Sequence, residues 1–119
     1  MIYNYNLIKA SSMPEQFKQA LLEILEYIEQ SAPKGLLQVI LFGSLARSNI
    51  HYKSDIDICL LFEDTIDLQS REIRIFKSMT RGATLLKEVD VIACTLSQLT
   101  SNSCTLYQEI NRDKIILAI

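Results

Sequence analysis

Residues 36–42 form an almost unbroken apolar run, LLQVILF, that stops abruptly at Gly43. A run of this length and composition predicts a β-strand that helices cover on both faces. A second strand is predicted over residues 55–62, where alternate positions fall into two sets. Ile56, Ile58, Leu60 and Phe62 share one face, and Asp55, Asp57, Cys59 and Leu61 share the other. The second strand therefore carries charge in its first half.

Helical periodicity flanks these strands. The spacing of Phe17, Leu21, Ile24 and Ile28 predicts an amphipathic helix that ends before Pro33 and Gly35. The S-x-x-E spacing of Ser12 and Glu15 predicts a capping box at its start, with Pro14 in the first turn. A second helix is predicted over residues 66–81, and its core-facing positions would be Leu68, Ile75, Phe76 and Met79.

The last third of the chain is expected to complete the sheet. Residues 89–94 predict a third strand, residues 97–107 short helical pieces, and residues 114–119 either a last strand or a buried helix end. Helices that alternate with strands in this order indicate an α/β or α+β fold, with a small mixed sheet flanked by helices. We expect one domain over residues 1–119, because this length suits a single core.

Composition excludes several classes of function. A formal net charge of -2 gives no positive field to attract nucleic acid, so direct nucleic-acid binding is not expected. Apolar runs such as residues 58–62 are far shorter than the roughly 20 residues of a membrane-spanning helix, so no membrane association is expected. The start of the chain does not resemble a secretory signal, and we expect a cytoplasmic protein. Three cysteines, Cys59, Cys94 and Cys104, are expected to be reduced core residues.

The residues with the clearest chemical meaning are Gly43-Ser44 and Asp55-x-Asp57. A Gly-Ser pair directly after a buried strand lets the backbone approach a ligand closely and suits a phosphate. An Asp-x-Asp pair on a strand puts two carboxylates on one face about 7 Å apart at their Cα atoms, where they can bind one or two divalent cations. Asp90, on the third predicted strand, would complete the site if that strand neighbours the second. Two metals held in this way clamp the attacking and leaving oxygens of a displacement at phosphorus.

Gly43-Ser44, ten intervening residues and then Asp55-x-Asp57, with Ala46-Arg47 inside the spacer, resemble the signature of the polymerase-beta-type nucleotidyltransferase superfamily. The short chain is similar to the minimal nucleotidyltransferases, the antitoxin partners of HEPN-domain toxins. The resemblance implies that Gly43 and Ser44 hold the triphosphate of ATP, and that Asp55 and Asp57 bind two Mg²⁺ ions. It also implies that Asp90 binds one of these ions and accepts the proton of the attacking hydroxyl.

The resemblance also implies a function: the protein would transfer AMP from ATP to a tyrosine of the partner toxin and so silence the toxin. The sequence departs from the family pattern at Ser48, where a glycine is common. If that position has a positive φ, serine would be slightly strained there. The resemblance leaves homo-oligomers and hetero-oligomers equally open.

Several charged residues have a simpler interpretation. Glu88 shares the predicted face of Asp90 and is the alternative third ligand, whereas Glu63, Asp64 and Asp67 fit capping and solvation. Arg47 suits a phosphate and a carboxylate partner equally well. His51 and Lys53 are expected to be solvated loop residues. The helical spacing of Arg71, Arg74, Lys77 and Arg81 predicts a basic stripe, which is either a solvated helix face or a surface for an acidic partner or RNA.

Two other functions fit the same residues. The acceptor could be a small hydroxylated molecule or an RNA end, although the chain has no additional helical domain to bind such an acceptor. Alternatively, the protein could be a catalytically idle module that neutralises a toxin by covering it. The presence of all three carboxylates, Asp55, Asp57 and Asp90, argues against an idle module.

Overall fold

A computed structural model of the chain describes residues 1–50 and 54–119. Within these residues the chain forms six helices and four strands. In chain order they are α1 (Tyr5–Ala10), α2 (Glu15–Ser31), β1 (Leu36–Phe42), α3 (Gly43–Ala46), β2 (Ile56–Phe62), α4 (Arg71–Arg81), β3 (Val89–Thr95), α5 (Leu96–Ser101), α6 (Thr105–Asp113) and β4 (Ile115–Ala118).

The four strands form one mixed sheet in the order β3-β2-β1-β4. β1 is antiparallel to both β2 and β4, whereas β2 and β3 run parallel. The sheet confirms the predicted α/β class. It also shows that the C-terminal segment forms a strand, β4, and not a buried helix end. The N-terminus extends the sheet beyond β4, because the backbones of Ile2 and Ile119 exchange two hydrogen bonds of 2.6 and 2.9 Å.

Helices cover both faces of the sheet. On one face Ile58 belongs to a buried cluster with Leu21 of α2 and Phe76 of α4. On the other face Cys59 packs in a second cluster with Leu99 of α5 and Ile110 of α6. The predicted alternation of β2 between two faces is therefore confirmed. No helix in the described part of the chain is both long and apolar enough to cross a membrane.

The predicted start of α2 is wrong in its details. The N-cap is Pro14, with no hydrogen bond from a capping side chain, and Glu15 is the first helical residue rather than the third. A capping box would require Ser12 to be the N-cap. The serine before it, Ser11, is the C-cap of α1, and its hydroxyl donates a hydrogen bond of 2.8 Å to the carbonyl of Ile8.

The predicted start and core face of α4 also need correction. The helix begins at Arg71, five residues later than residue 66, because Ser70 caps it by accepting a hydrogen bond of 3.3 Å from the backbone of Ile73. Its buried residues are Ile73, Phe76 and Thr80, so within the helix Phe76 is the one predicted core residue that is confirmed. Ile75 and Met79 are exposed, and Leu68 precedes the helix and packs partly buried against the core.

The cysteine prediction holds for two of the three residues. Cys59 and Cys94 are buried free thiols whose Sγ atoms lie 3.4 Å apart, within a thiol hydrogen bond. Cys104, by contrast, is exposed. It directly precedes α6 as its N-cap, and this helix starts on the surface with its first buried residue at Ile110.

Candidate active site

A tight backbone turn places Gly43 against the side chain of Asp57. Gly43 follows β1 directly, has a φ of +77° and begins the short helix α3. A Cβ atom built on this glycine would lie 3.1 Å from Cγ of Asp57, and closer still to one carboxylate oxygen. Real Cβ atoms do not approach a carboxyl group so closely, so glycine is required here for space as well as for conformation.

The turn after α3 confirms the conditional expectation for Ser48. This residue has a φ of 61°, in the left-handed region that favours glycine. Its backbone donates a hydrogen bond of 3.2 Å to the carbonyl of Leu45, and the backbone of Asn49 donates one of 3.0 Å to the carbonyl of Ser44. These two bonds hold the strained residue in place while Ser44 remains half-buried beside the turn.

Two of the three predicted carboxylates are direct neighbours in the sheet. Asp57 of β2 pairs in register with Asp90 of the parallel strand β3. Cross-strand partners lie on the same face with their Cβ atoms about 5 Å apart. Asp90 is exposed, whereas its neighbours Val89 and Val91 are buried. Of these three residues, only Asp90 is therefore accessible to solvent. The condition set for Asp90, that its strand lies beside the second one, is met.

Asp55 lies one residue before β2 and is exposed. The start of β2 is held to the segment before β3, because the backbone of Ile56 donates a hydrogen bond of 3.0 Å to the carbonyl of Glu88. Asp55 therefore stands at the same end of the parallel pair as Asp57 and Asp90. The three predicted carboxylates lie together at one end of the sheet.

Nearby carboxylates act on the pKa of Asp57. Burial, followed in decreasing order by the charges of Asp90, Asp55 and Glu109, raises this pKa to about 6. Arg47 acts in the opposite direction. A carboxylate crowded by three others is in an environment that favours a bound cation.

The donor set suits a magnesium ion without enclosing it. No three His, Cys, Asp or Glu side chains within residues 1–50 and 54–119 converge closely enough to surround a metal. Magnesium does not need such a cage, because it is held by one or two carboxylates and completes its six ligands with water and substrate phosphates. The paired Asp57 and Asp90 supply the two hard-oxygen ligands that this ion requires.

Arg47 has carboxylate partners in the structure. One guanidinium nitrogen (Nη1) lies 2.6 Å from Asp113 and 3.4 Å from Glu109, both on α6. Hydrogen bonds from Arg112 and Arg47 hold the pKa of Asp113 at about 2, well below its usual value. Arg47 thus anchors α3 to α6. Of its two predicted partners, a phosphate and a carboxylate, the structure shows the carboxylate.

Glu109 is the site residue that sequence reasoning missed. Its charge contributes to the raised pKa of Asp57, and it pairs with Arg47. It lies on α6, 52 positions beyond Asp57 in the chain, and the two come together only because α6 packs against β1 and α3. No local pattern in the sequence could have indicated that contact.

Asp64 and Asp67 have structural roles, as expected. Asp64 accepts hydrogen bonds from the backbone, at 2.8 Å, and from the hydroxyl of Ser97 in the first turn of α5. Asp67 accepts one of 2.9 Å from the backbone of Gln69. Both follow the far end of β2, away from Asp57. Glu88, the rival of Asp90, is exposed and precedes β3, and it is not among the charges that shift the pKa of Asp57.

Two of the remaining predictions concern basic residues. Arg71, Arg74 and Arg81 of the predicted basic stripe lie on the solvent face of α4, and Lys77 is half-buried at its edge. His51 and Lys53 lie outside the described residues.

Comparison with known proteins identifies the family of the chain. A family model described as polymerase beta, nucleotidyltransferase, matches residues 23–118. This range contains Gly43, Ser44 and all three predicted carboxylates. No curated protein matches the chain.

Three solved structures resemble the fold. A toxin-antitoxin crystal structure with AMP-PNP is 30% identical, with a TM-score of 0.57, and the match covers 82% of this chain and 71% of that one. A mutant of the toxin-antitoxin pair MntA-HpeT is 27% identical, with a TM-score of 0.55 and coverage of 82% and 70%. A protein described as a minimal nucleotidyltransferase is 21% identical, with a TM-score of 0.53 and coverage of 88% and 98%, and shows the likeness of fold alone.

Proposed function

The chain belongs to the polymerase beta nucleotidyltransferase family, and from this membership we propose that it transfers AMP from ATP to a hydroxyl of a HEPN-domain toxin and acts as the antitoxin of that toxin. One observation carries the proposal. The Asp57 carboxylate lies against the backbone of Gly43 on one side and is paired with Asp90 on the other. A phosphate-binding turn and a pair of acidic ligands are thus in direct contact.

Each residue has a defined task in this reaction. The backbone N–H groups at Gly43 and the Ser44 hydroxyl hold the triphosphate. Asp55 and Asp57 would hold two magnesium ions, and Asp90 would hold one of them; when bound, these ions neutralise the charge that develops on the phosphate oxygens. The acceptor oxygen attacks the α-phosphorus, the bond to the departing pyrophosphate breaks, and Asp90 accepts the hydroxyl proton.

The nature of the acceptor is inferred from the comparisons. Two of the similar structures are toxin-antitoxin complexes, and one of these contains AMP-PNP, an analogue of ATP. The first, at 30% identity, is a relative close enough to suggest the same kind of partner and nucleotide. A tyrosine hydroxyl of the toxin is the acceptor that the family resemblance implies.

The test is intact-mass spectrometry of both proteins. The chain is purified together with its HEPN-domain partner and incubated with Mg²⁺ and each of the four ribonucleoside triphosphates. We expect the partner to gain whole AMP units with ATP alone. Asp57→Asn should abolish the gain, whereas Asp67→Asn, which removes a carboxylate from the far end of β2, should retain it.

The same experiment separates the two rival functions. Release of pyrophosphate without a mass change on either protein would indicate a small-molecule or RNA acceptor. Neutralisation of the toxin by a variant carrying Asp55→Ala and Asp57→Ala would indicate a module that acts by covering its partner. Turnover by Asp57→Asn would exclude the metal-dependent mechanism proposed here.

A further inference from the structure

An open groove of about 700 Å³ begins at the catalytic end of the sheet. Its lining includes Asp55, the predicted magnesium ligand, and Ser78 and Arg81 from the last turn of α4. The segment of residues 84–88, which connects α4 to β3, forms one wall. Whatever occupies this groove lies next to the reacting groups.

The wall of the groove displays apolar side chains to solvent. Leu85 is 98% exposed and Leu86 is 39% exposed. Both leucines line the groove. Single exposed apolar residues are common, but a cluster beside a functional groove is typical of a surface that binds another molecule.

This wall is fixed in position by contacts on both sides of Leu85. The buried Thr84 accepts a hydrogen bond of 3.2 Å from the backbone of Leu86. The side-chain amide of Gln16 donates one of 3.1 Å to the carbonyl of Leu86, and the Lys87 ammonium lies 4.3 Å from the centre of the Phe17 ring. The exposed leucine therefore stands on an anchored segment, which reduces the entropy lost when a partner binds.

Positive charge borders the apolar cluster. Arg74 and Arg81 are exposed on the side of α4 that leads into the groove. Among the described residues neither arginine is within ion-pair distance of a carboxylate. The carboxylates that line the groove, Asp55 and Glu88, stand just before β2 and β3, so the positive charge of the two arginines is confined to the α4 side. An acidic partner would complement it.

We propose that the surface formed by Leu85, Leu86, Arg74 and Arg81, hereafter the α4 surface, docks the acceptor protein. The part of the acceptor that it binds is a segment with apolar side chains flanked by Asp or Glu. Docking there directs the neighbouring hydroxyl of the acceptor along the groove toward Asp55. This inference rests on the proposed function, because it takes the acceptor to be a protein.

The chemistry of the α4 surface favours a protein over RNA. A site for single-stranded RNA combines a basic groove with aromatic side chains on which bases stack. The α4 surface offers leucine side chains instead, and these suit the apolar side chains of a protein partner. RNA is therefore treated as a competing outcome of the test.

The test measures binding and transfer separately, with the purified HEPN-domain partner as the probe. Leu85→Asp changes a side chain with almost no contacts of its own, so the fold should be unaffected. We expect the Kd for the partner to rise by at least about tenfold, as for other central interface residues. The KM for the partner should rise in parallel, while kcat at saturating partner and the affinity for ATP stay unchanged.

Arg81→Glu tests the charge of the α4 surface. It should also weaken binding of the partner, with an effect that shrinks at high salt. The matched controls lie elsewhere: Leu7→Glu changes a half-exposed leucine in the apolar pocket between α1 and β4, and Lys34→Glu reverses an exposed charge just before β1. Both controls should bind the partner within about twofold of the wild type.

The outcomes separate this inference from the proposed function. Asp57→Asn should bind the partner normally and fail to modify it. Wild-type binding by both Leu85→Asp and Arg81→Glu would overturn the docking proposal even if transfer occurs. Weaker binding of the partner by Leu7→Glu would overturn it as well. So would an Arg81→Glu variant that binds the partner normally but no longer binds a single-stranded RNA 20-mer.

Discussion

Replacing the central carboxylate by its neutral isostere should stabilise the metal-free protein while removing its activity. Burial and the charges of Asp90, Asp55 and Glu109 raise the pKa of Asp57 to about 6 from its ordinary value of 3.8. That difference corresponds to about 3 kcal/mol of lost stability above pH 6. Because Asp57 is only half-buried, solvent screening reduces the expected effect to about 1 kcal/mol.

The upward direction of the pKa shift of Asp57 determines how this effect depends on pH. A raised carboxyl pKa destabilises the folded wild-type protein as pH rises from about 4 through 6, because the folded state holds its proton more tightly. Asp57→Asn has no charge to lose. The variant and the wild type should therefore unfold at the same temperature near pH 4, and the variant should have the higher Tm at pH 8.

Thermal unfolding without metal, followed by circular dichroism at pH 4 and pH 8, measures the difference. We expect a gain of about 4 °C for Asp57→Asn at pH 8, since 1 kcal/mol has roughly that effect in a domain of this size. Addition of Mg²⁺ should raise the Tm of the wild type and leave the variant unchanged. A variant that is less stable than the wild type at pH 8, or a difference that persists at pH 4, would refute the electrostatic reasoning.

Substitutions at three further positions test the structure around the site. Gly43→Ala should lower the free energy of unfolding in urea by about 2 kcal/mol, because alanine is strained at a φ of +77° and its Cβ displaces the Asp57 carboxylate; an unchanged urea midpoint would contradict the close approach. Ser48→Gly should unfold at the wild-type urea concentration or above, whereas Ser48→Val should lose about 1–2 kcal/mol, because a β-branched residue tolerates a φ of 61° poorly. Asp113→Asn should be less stable than the wild type above pH 4, with the difference vanishing toward pH 2, because Arg112 and Arg47 hold the pKa of Asp113 at about 2; a constant difference across that range would exclude the ion pairs as its cause.

Local patterns in the sequence predicted those parts of the fold that depend on local physics. β1 begins and ends where the apolar run does, at Leu36 and Phe42, because a strand covered on both faces must be apolar throughout. The start of α4 was predicted less well. Asp67 accepts a hydrogen bond from the backbone of Gln69 in a turn before the helix, and Ser70 then caps the helix, so α4 starts at Arg71.

The site required knowledge of the strand order, which no local pattern contains. The sequence predicted that Asp55 and Asp57 lie close together, because two residues of one strand are always near. Whether Asp90 joins them depends on β3 lying beside β2, and the register of that pair decides it. The ion pair between Arg47 and Asp113 joins residues 66 positions apart and depends on how α6 packs.

The most direct test of the central claim is to locate the metal. A crystal of the protein with Mn²⁺ and AMP-PNP, measured at a wavelength where manganese scatters anomalously, gives the position of every bound ion. We expect anomalous density at the end of the sheet where Asp57 and Asp90 are paired, with Asp55 among the ligands and the triphosphate beside Gly43 and Ser44. Manganese bound only elsewhere, such as at Glu109 and Asp113, would contradict it.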